Sequence, residues 1–268
     1  MSRVKKTLRL AAKFAAACAV IAVLGFVEQR GNNVPVREVR VNLAPAGDVH
    51  FIDAEALKLQ VATGTGPVIG TPVNKLDETA IEQHLRAIPC VAEADVYHTM
   101  DGVLHVNARQ REPIVRVVNA DGTGFYIDKE GWTMPLDPNY TARVMVVTGM
   151  LQEPFGMQAP VNVTSGNDSL AMHSHCAAIH ALATTLRKNP FWSALFGQAV
   201  VDAQGEFTLV PNVGMMQVRV GDGSHLAQRL DKLKLFYQQG LPQADWRRYS
   251  TVDLRFDDQV VATKRSPQ

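Results

Sequence analysis

Cysteine is scarce in this sequence. The 268 residues hold three, Cys18, Cys90 and Cys176, too few for a disulfide scaffold in a chain long enough not to need one. A basic surplus is also missing. Lys+Arg number 27 against 26 Asp+Glu, whereas a nucleic-acid binder carries an excess of bases, so nucleic acid is not an expected partner. No fixed-period repeat and no low-complexity segment occurs. There is no G-x-S-x-G elbow, no P-loop, no H-E-x-x-H and no cysteine pair at zinc spacing. Gly64, Gly66 and Gly70 lack the spacing of a dinucleotide loop and read as a turn. The pattern therefore predicts no enzyme, no cofactor and no resident metal. A carboxylate pair of glycosidase type can be distant in sequence, so spacing alone does not exclude one.

What is present is ordinary globular composition, 46% hydrophobic and 20% charged, with room for one large domain or two ordinary ones. The charge is unevenly spread. Residues 1–27 hold Arg3, Lys5, Lys6, Arg9 and Lys13 and no acid, leaving 22 bases against 26 acids, a formal −4, on the rest. Residues 10–27, LAAKFAAACAVIAVLGFV, are interrupted only by Lys13. As a helix they span roughly 27 Å, near the roughly 30 Å hydrocarbon thickness of a bilayer, and Arg9 and Lys13 can snorkel to headgroups. The sequence predicts a cytoplasmic tail 1–9, a transmembrane helix 10–27 in membrane lipid, and 241 exported residues. Two other readings use the same run. One is a cleaved signal peptide, although Gly25-Phe26-Val27-Glu28 offers no clean small-x-small site. The other is lipoprotein-type processing at Ala15-Ala16-Ala17-Cys18, although the apolar run continues past Cys18.

The first exported module is expected over 35–112. Residues 36–43 alternate as a strand. Asp53 suits the N-cap of a helix running to about Thr63, with Glu55 in its first turn. A second helix, 76–88, has Leu76, Ala80, Ile81, Leu85 and Ile88 on one face and a Glu82/Arg86 pair at i,i+4, and ends at Pro89. A hairpin follows. A two-residue Asp101-Gly102 turn would put the two apolar sets on opposite faces. A three-residue loop, Met100-Asp101-Gly102, pairs Val96 with Val106 and Ala94 with Ala108, and puts Gly102 at the left-handed position. The second module is expected over 113–262. Its strands fall at 114–118, 124–127, 144–149, 198–203, 206–210, 215–220 and 251–261. Its helices are 170–188, stopped by Pro190, and one capped by Ser224, with Leu226, Leu230, Leu233 and Tyr237 on one face. The fold class is α+β: a transmembrane helix, a β-α-α-β-β module, then a mixed β-rich domain with two helices.

Several stretches resemble one family. Ala87-Ile88-Pro89-Cys90-Val91 with Ala94-Asp95-Val96, and the exit Asn107-Ala108-Arg109-Gln110-Arg111-Glu112-Pro113, resemble the POTRA domain of the FtsQ/DivIB cell-division proteins. Cys90 stands where an aromatic is common, and Arg111-Glu112-Pro113 replaces an E-R-x-P exit. Asp128-Lys129-Glu130-Gly131, Val147-Thr148-Gly149, Asp231-Lys232-Leu233 and Val252-Asp253-Leu254-Arg255-Phe256 resemble the family's second domain, so the likeness runs from the anchor to residue 262. It implies a non-catalytic divisome scaffold of the bacterial inner membrane, held at the division septum with its C-terminal domains in the periplasm. The implied partners are FtsB/DivIC-like and FtsL-like coiled-coil proteins, which link it to septal cell-wall synthesis, and other divisome membrane proteins.

The resemblance also assigns partner binding to the closing strand 251–261, ahead of a short tail 263–268. The expected mode is strand addition at a sheet edge. The residues implied are Thr251, Val252, Leu254, Arg255, Phe256, Gln259 and Val260. Arg255 would meet a partner carboxylate or stand as a solvated charge. Phe256 would anchor the partner or belong to the core face shared by Val252 and Leu254. Two functions of other classes remain. A POTRA-containing outer-membrane assembly or secretion subunit would be expected to show a second POTRA repeat or a barrel. A membrane-anchored periplasmic hydrolase would be favoured by zinc at His173, Cys176 and His180, of which Cys176 and His180 are i,i+4 on a helix. Cys90 and Cys176 fall in different modules and are expected as free thiols.

Overall fold

A computed structural model describes residues 34–47, 49–64, 66–156, 159–166, 172–240, 246–257 and 259–265, together with 13, 15, 16 and 18–20, which are helical. The expected tail 1–9 and most of the expected span 10–27 lie outside the described residues. Among those described, no helix is long and apolar enough to cross a membrane. The described residues fall into two compact units, one drawn from Met1–Pro45 and Ile52–Gln110, the other from Ala46–Phe51 and Arg111–Gln268.

The first unit is a three-stranded sheet carrying two helices. Strand β1 (Glu38–Ala44) is followed by α1 (Ala54–Gly64), α2 (Glu78–Arg86), β2 (Val91–His98) and β3 (Val103–Gln110). The sheet order is β1-β3-β2, with β1 parallel and β2 antiparallel to β3. Both helices start on aspartate caps. Asp53 Oδ1 accepts from Ala56 N at 2.7 Å and Asp77 Oδ1 from Ala80 N at 2.9 Å, each satisfying one donor that a helix start leaves unpaired. Leu57 and Val61 of α1 and Ile81 and Leu85 of α2 bury into one core with Val96, Leu104 and Val106. Burying each such side chain contributes about 1.5–3 kcal/mol.

The hairpin register is the expected one, with Ala94 opposite Ala108 and Val96 opposite Val106. Thr99 N donates to Val103 O at 3.0 Å, closing the three-residue loop, and Gly102 sits at φ +84°. A Cβ at Gly102 would stand 2.6 Å from the Pro35 carbonyl oxygen. The outer edge of β2 is not bare. Glu82 Oε1 accepts from Val96 N at 3.0 Å, Arg86 Nη2 donates to Ala94 O at 2.6 Å, and the two side chains pair at 3.2 Å. One turn back on α2, Glu78 Oε1 lies 2.6 Å from His98 Nδ1. The i,i+4 row of α2 thus lies along the strand edge and satisfies its main-chain groups.

The second unit holds nine strands in one mixed sheet. In chain order they are β4 (Pro113–Val118), β5 (Gly124–Asp128), β6 (Thr133–Pro135), β7 (Met145–Gly149), β8 (Phe196–Val201), β9 (Phe207–Pro211), β10 (Gln217–Gly221), β11 (Tyr249–Asp253) and β12 (Val261–Lys264). Across the sheet the order is β12-β11-β10-β9-β8-β7-β4-β5-β6. Helices α3 (Cys176–Arg187), α4 (Pro190–Leu195) and α5 (Leu226–Leu235) share a core with it. Ile179, Leu182 and Leu186 of α3 and Leu230 and Leu233 of α5 meet Val117, Val147, Leu209, Val218 and Val252 there. Asp128 fixes the turn after β5: its Oδ1 accepts from Glu130 N and Trp132 N, and its Oδ2 pairs with buried Arg111 at 3.0 Å.

Four expectations change. The helix expected over 170–188 begins at Cys176, and residues 170 and 171 lie outside the described set. Pro190 does not merely stop that helix. It opens α4, where its missing N–H and fixed φ suit the first turn and Asn189 Oδ1 caps Phe191 N at 3.0 Å. Ser224 does not cap α5. Its hydroxyl donates to Asp222 Oδ1 at 2.6 Å, and His225, at φ +51°, holds the cap position. The closing strand 251–261 is two strands, β11 and β12, joined by a turn that includes residues 254–257 and 259–260, and β12 continues into the expected tail as far as Lys264.

Candidate partner-binding edge

The two edges of the large sheet are finished differently. At β6, the neighbouring segment closes the ladder: Thr133 N donates to Val161 O at 2.9 Å, Val161 N to Thr133 Oγ1 at 2.9 Å and Val163 N to Gly131 O at 2.8 Å. At the other end, among the described residues, β12 pairs with β11 alone, through Asp253–Val261, Val252–Ala262, Thr251–Thr263 and Tyr249–Lys264. An edge strand has a row of main-chain donors and acceptors facing away from its sheet, which is a template for one more strand.

Strand β11 is therefore interior. It runs parallel to β10, with Val218 opposite Val252, and antiparallel to β12. This corrects the expectation that the segment containing Thr251 and Val252 forms the edge. Val252 and Leu254 are fully buried in the core, Thr251 is half-buried, and Val260 packs against the core from the turn. Phe256, 44% exposed, does not share the core face of Val252 and Leu254. Gln259 is exposed as well, and Val261, the first residue of β12, is 38% exposed.

The turn is held by charge. Lys232 Nζ donates to the carbonyl oxygens of Leu254 at 3.3 Å, Phe256 at 2.5 Å and Asp257 at 3.2 Å. Arg255 Nη2 meets Asp253 Oδ2 at 2.7 Å and its Nη1 meets Glu206 Oε2 at 2.7 Å, while Arg219 lies 3.2 Å from Glu206 and 3.9 Å from Asp253. The Asp253 hydrogen bond, followed by the charges of Asp253 and Glu206, keeps the Arg255 guanidinium charged. Burial alone would raise the Asp253 carboxyl. Hydrogen bonds from the Arg255 side chain and backbone, with the charges of Arg255 and Arg219, outweigh it and hold the group below its ordinary range. Arg255 is thus neither a free solvated charge nor waiting for a carboxylate, since its own chain supplies two.

Sequence reasoning ended the edge at Val261 and missed Ala262, Thr263 and Lys264 as its continuation, and Lys232, Glu206 and Arg219 as its supports. Asp257-Asp258-Gln259 was the available signal, a polar break inside an otherwise apolar run. The histidine helix does not gather a site. His175 Nδ1 meets Glu153 Oε1 at 3.0 Å, Cys176 Sγ donates to Glu153 Oε2 at 3.5 Å, and His180 Nε2 faces the Lys129 carbonyl at 3.2 Å. Among the described residues no group of three His, Cys, Asp or Glu could hold a metal ion. Cys18 and Cys176 are free thiols.

Comparison with known proteins now bears on both units. A family model described as "POTRA-like domain" matches residues 36–109, and one described as "FtsQ/DivIB, C-terminal related" matches residues 112–263. The chain belongs to the FtsQ/DivIB family. Two similar proteins carry the name "Cell division protein FtsQ". The one from Rhodothermus marinus is 26% identical over 201 residues, covering 74% of this chain and 69% of the relative. The one from Salinibacter ruber is 25% identical over 202 residues, 73% of each. As an FtsQ/DivIB protein the chain is a non-catalytic, membrane-associated component of the divisome at the division septum, and its partners are other divisome proteins.

Proposed function

We propose that the chain is a divisome scaffold of the bacterial inner membrane. Residues 10–27 span the bilayer with the N-terminus in the cytoplasm, and both units stand in the periplasm. The second unit binds FtsB/DivIC-like and FtsL-like coiled-coil proteins and so links them to septal cell-wall synthesis. The mode is strand addition to β12, with Phe256 as an apolar anchor beside it. The observation that carries this reading is the asymmetry of the sheet: the β6 edge is closed by residues 161–163, while among the described residues β12 is paired on one side only, next to exposed Phe256 and Val261. Thr251, Val252 and Leu254 support the edge from within, Arg255 fixes the turn, and Gln259 and Val260 lead into the strand.

The test is co-purification of the full chain, in detergent, with the host's FtsB-like protein, beside Phe256→Lys and Val261→Pro. Proline removes a main-chain donor from β12, and lysine removes the anchor. Both variants should retain their circular dichroism spectrum and lose the partner. Retention of the partner by Val261→Pro would refute docking at this edge.

A further inference from the structure

One end of the second unit is basic and apolar at once. Five described stretches meet there: 188–197, 210–217, 233–240, 246–250 and 262–265. Contacts tie them together. Asn212 N donates to the Leu195 carbonyl at 2.7 Å, Arg265 N to the Arg248 carbonyl at 2.7 Å, and Arg265 Nη1 to the Met215 sulfur at 3.4 Å. The Tyr237 ring lies 6.5 Å from that of Phe191, and the Phe236 ring 6.3 Å from that of Tyr249. These stretches carry Lys188, Lys234, Arg247, Arg248, Lys264 and Arg265, all exposed, and no Asp or Glu. Acids gather instead at the other end of strands β8 to β11, where Asp202, Glu206, Asp222, Asp253 and Asp257 stand. Among the bases are exposed apolar side chains. Val213 and Met215, in the β9–β10 turn, are 74% and 71% exposed, and Phe191 on α4 and Leu235 at the end of α5 are exposed as well. We propose that this end docks on the surface of an anionic phospholipid bilayer, with its bases on the phosphates and its apolar tips among the upper acyl chains.

Single exposed apolar residues are ordinary on a protein surface. Four of them set among six bases, with no described acid between, match the chemistry of a membrane interface, which pairs fixed negative charge with hydrocarbon beneath it. Other anions fit less well. Nucleic acid offers phosphates, but Val213, Met215 and Leu235 have no ring to stack on its bases. An acidic peptide calls for cations along one groove, whereas these bases are spread over separate segments of the end. A bilayer presents phosphates across its whole surface, and each base near it strengthens binding about fivefold. The inference goes beyond strand addition at β12 and needs no coiled-coil partner. It rests on the proposed anchor in one respect: a chain tethered in a bilayer meets that surface at high effective concentration, so weak contacts suffice.

The test places the full chain, with Cys18 and Cys90 replaced by Ser, in two sets of lipid nanodiscs. One is phosphatidylcholine alone and the other an equal mixture with phosphatidylglycerol, and both contain a nitroxide-labelled lipid. An environment-sensitive fluorophore is attached at Val213→Cys or, as the control at the acidic end, at Gln204→Cys. In the anionic discs the label at 213 should shift to shorter wavelength and be quenched by the nitroxide. In the neutral discs, and at 204 in both, it should not. Lys234→Gln/Lys264→Gln should lower the docked-to-free ratio about fivefold per base, and Lys234→Arg/Lys264→Arg should keep it. Raising the salt should weaken docking in the same way. Equal signals at 213 in the two discs, with the chain co-eluting with both, would overturn the docking and leave the anchor standing. A chain that elutes apart from both discs would overturn docking and anchor together. A label that ignores anionic lipid but shifts on addition of polyglutamate would name an acidic peptide as the occupant and overturn the proposal.

Discussion

Removing Arg111 should destabilise the second unit more than any surface change. Its side chain is 8% exposed, its Nη1 lies 3.0 Å from Asp128 Oδ2, and Asp128 is 1% exposed. The guanidinium also sits 5.0 Å over the Trp132 ring. Arg111→Ala leaves the Asp128 carboxylate buried without its cation, which costs about 3–5 kcal/mol, and loses a cation–π contact of about 0.5–2 kcal/mol. A domain is stable by about 5–15 kcal/mol in all. With a urea dependence of about 2 kcal/mol per M, a loss of about 4 kcal/mol lowers the midpoint by about 2 M. The chain's three tryptophans, Trp132, Trp192 and Trp246, all belong to the second unit, so fluorescence follows that unit alone. Arg111→Met/Asp128→Asn should recover part of the loss, because the amide oxygen still accepts from Glu130 N and Trp132 N while no lone charge remains. A loss below about 1 kcal/mol for Arg111→Ala, or a double variant no better than the single, would refute this reasoning.

Three further outcomes can be checked. Gly149→Ala should abolish folding of the second unit, because Gly149 has φ +123° and its Cβ would overlap the Val201 carbonyl oxygen; soluble yield and fluorescence measure it. The depressed Asp253 carboxyl contributes stability that is fully present above its ordinary value, about 3.9, and is lost as pH falls through its lower folded value. Asp253→Asn should therefore flatten acid unfolding monitored below pH 4, and an unchanged curve would count against the network. Burial, then the nearby Glu153 charge, pushes the Cys176 thiol well above its usual range. Cys176 should therefore resist alkylation at pH 8 in the native chain and react at the rate of unfolding, and labelling by mass spectrometry as fast as a free thiol would contradict its placement.

The first unit was legible because its signals are local and agree. Asp53 stands before apolar periodicity, Pro89 follows it, and Gly102 at a left-handed loop position sets a register that alternation on both strands also demands. The closing region was not. Val252, Leu254 and Phe256 alternate as one strand would, so the run reads straight through Asp257, and only the pairing of residues 251–253 with 217–219 and of 261–264 with 249–253 reveals the chain reversal. The roles of Glu206 and Arg219 were hidden for the same reason, since Glu206 reaches Arg255 from 49 residues away in sequence and Arg219 reaches Asp253 from 34. Pro190 carried two meanings, helix stop and helix start, and one residue type cannot separate them without the Asn189 cap in view.

The row Glu78, Glu82 and Arg86 on α2 also bears on the order of synthesis. The groups it caps lie downstream: the Ala94 carbonyl is 8 residues beyond Arg86, and Val96 N is 14 residues beyond Glu82. The chain therefore makes the cover before the edge. As β2 leaves the ribosome or a secretion channel, its strand partner β3 does not yet exist and one of its two sides is already spoken for. A nascent chain arranged in the opposite order would expose both sides of β2 to its neighbours for the time needed to complete the helix.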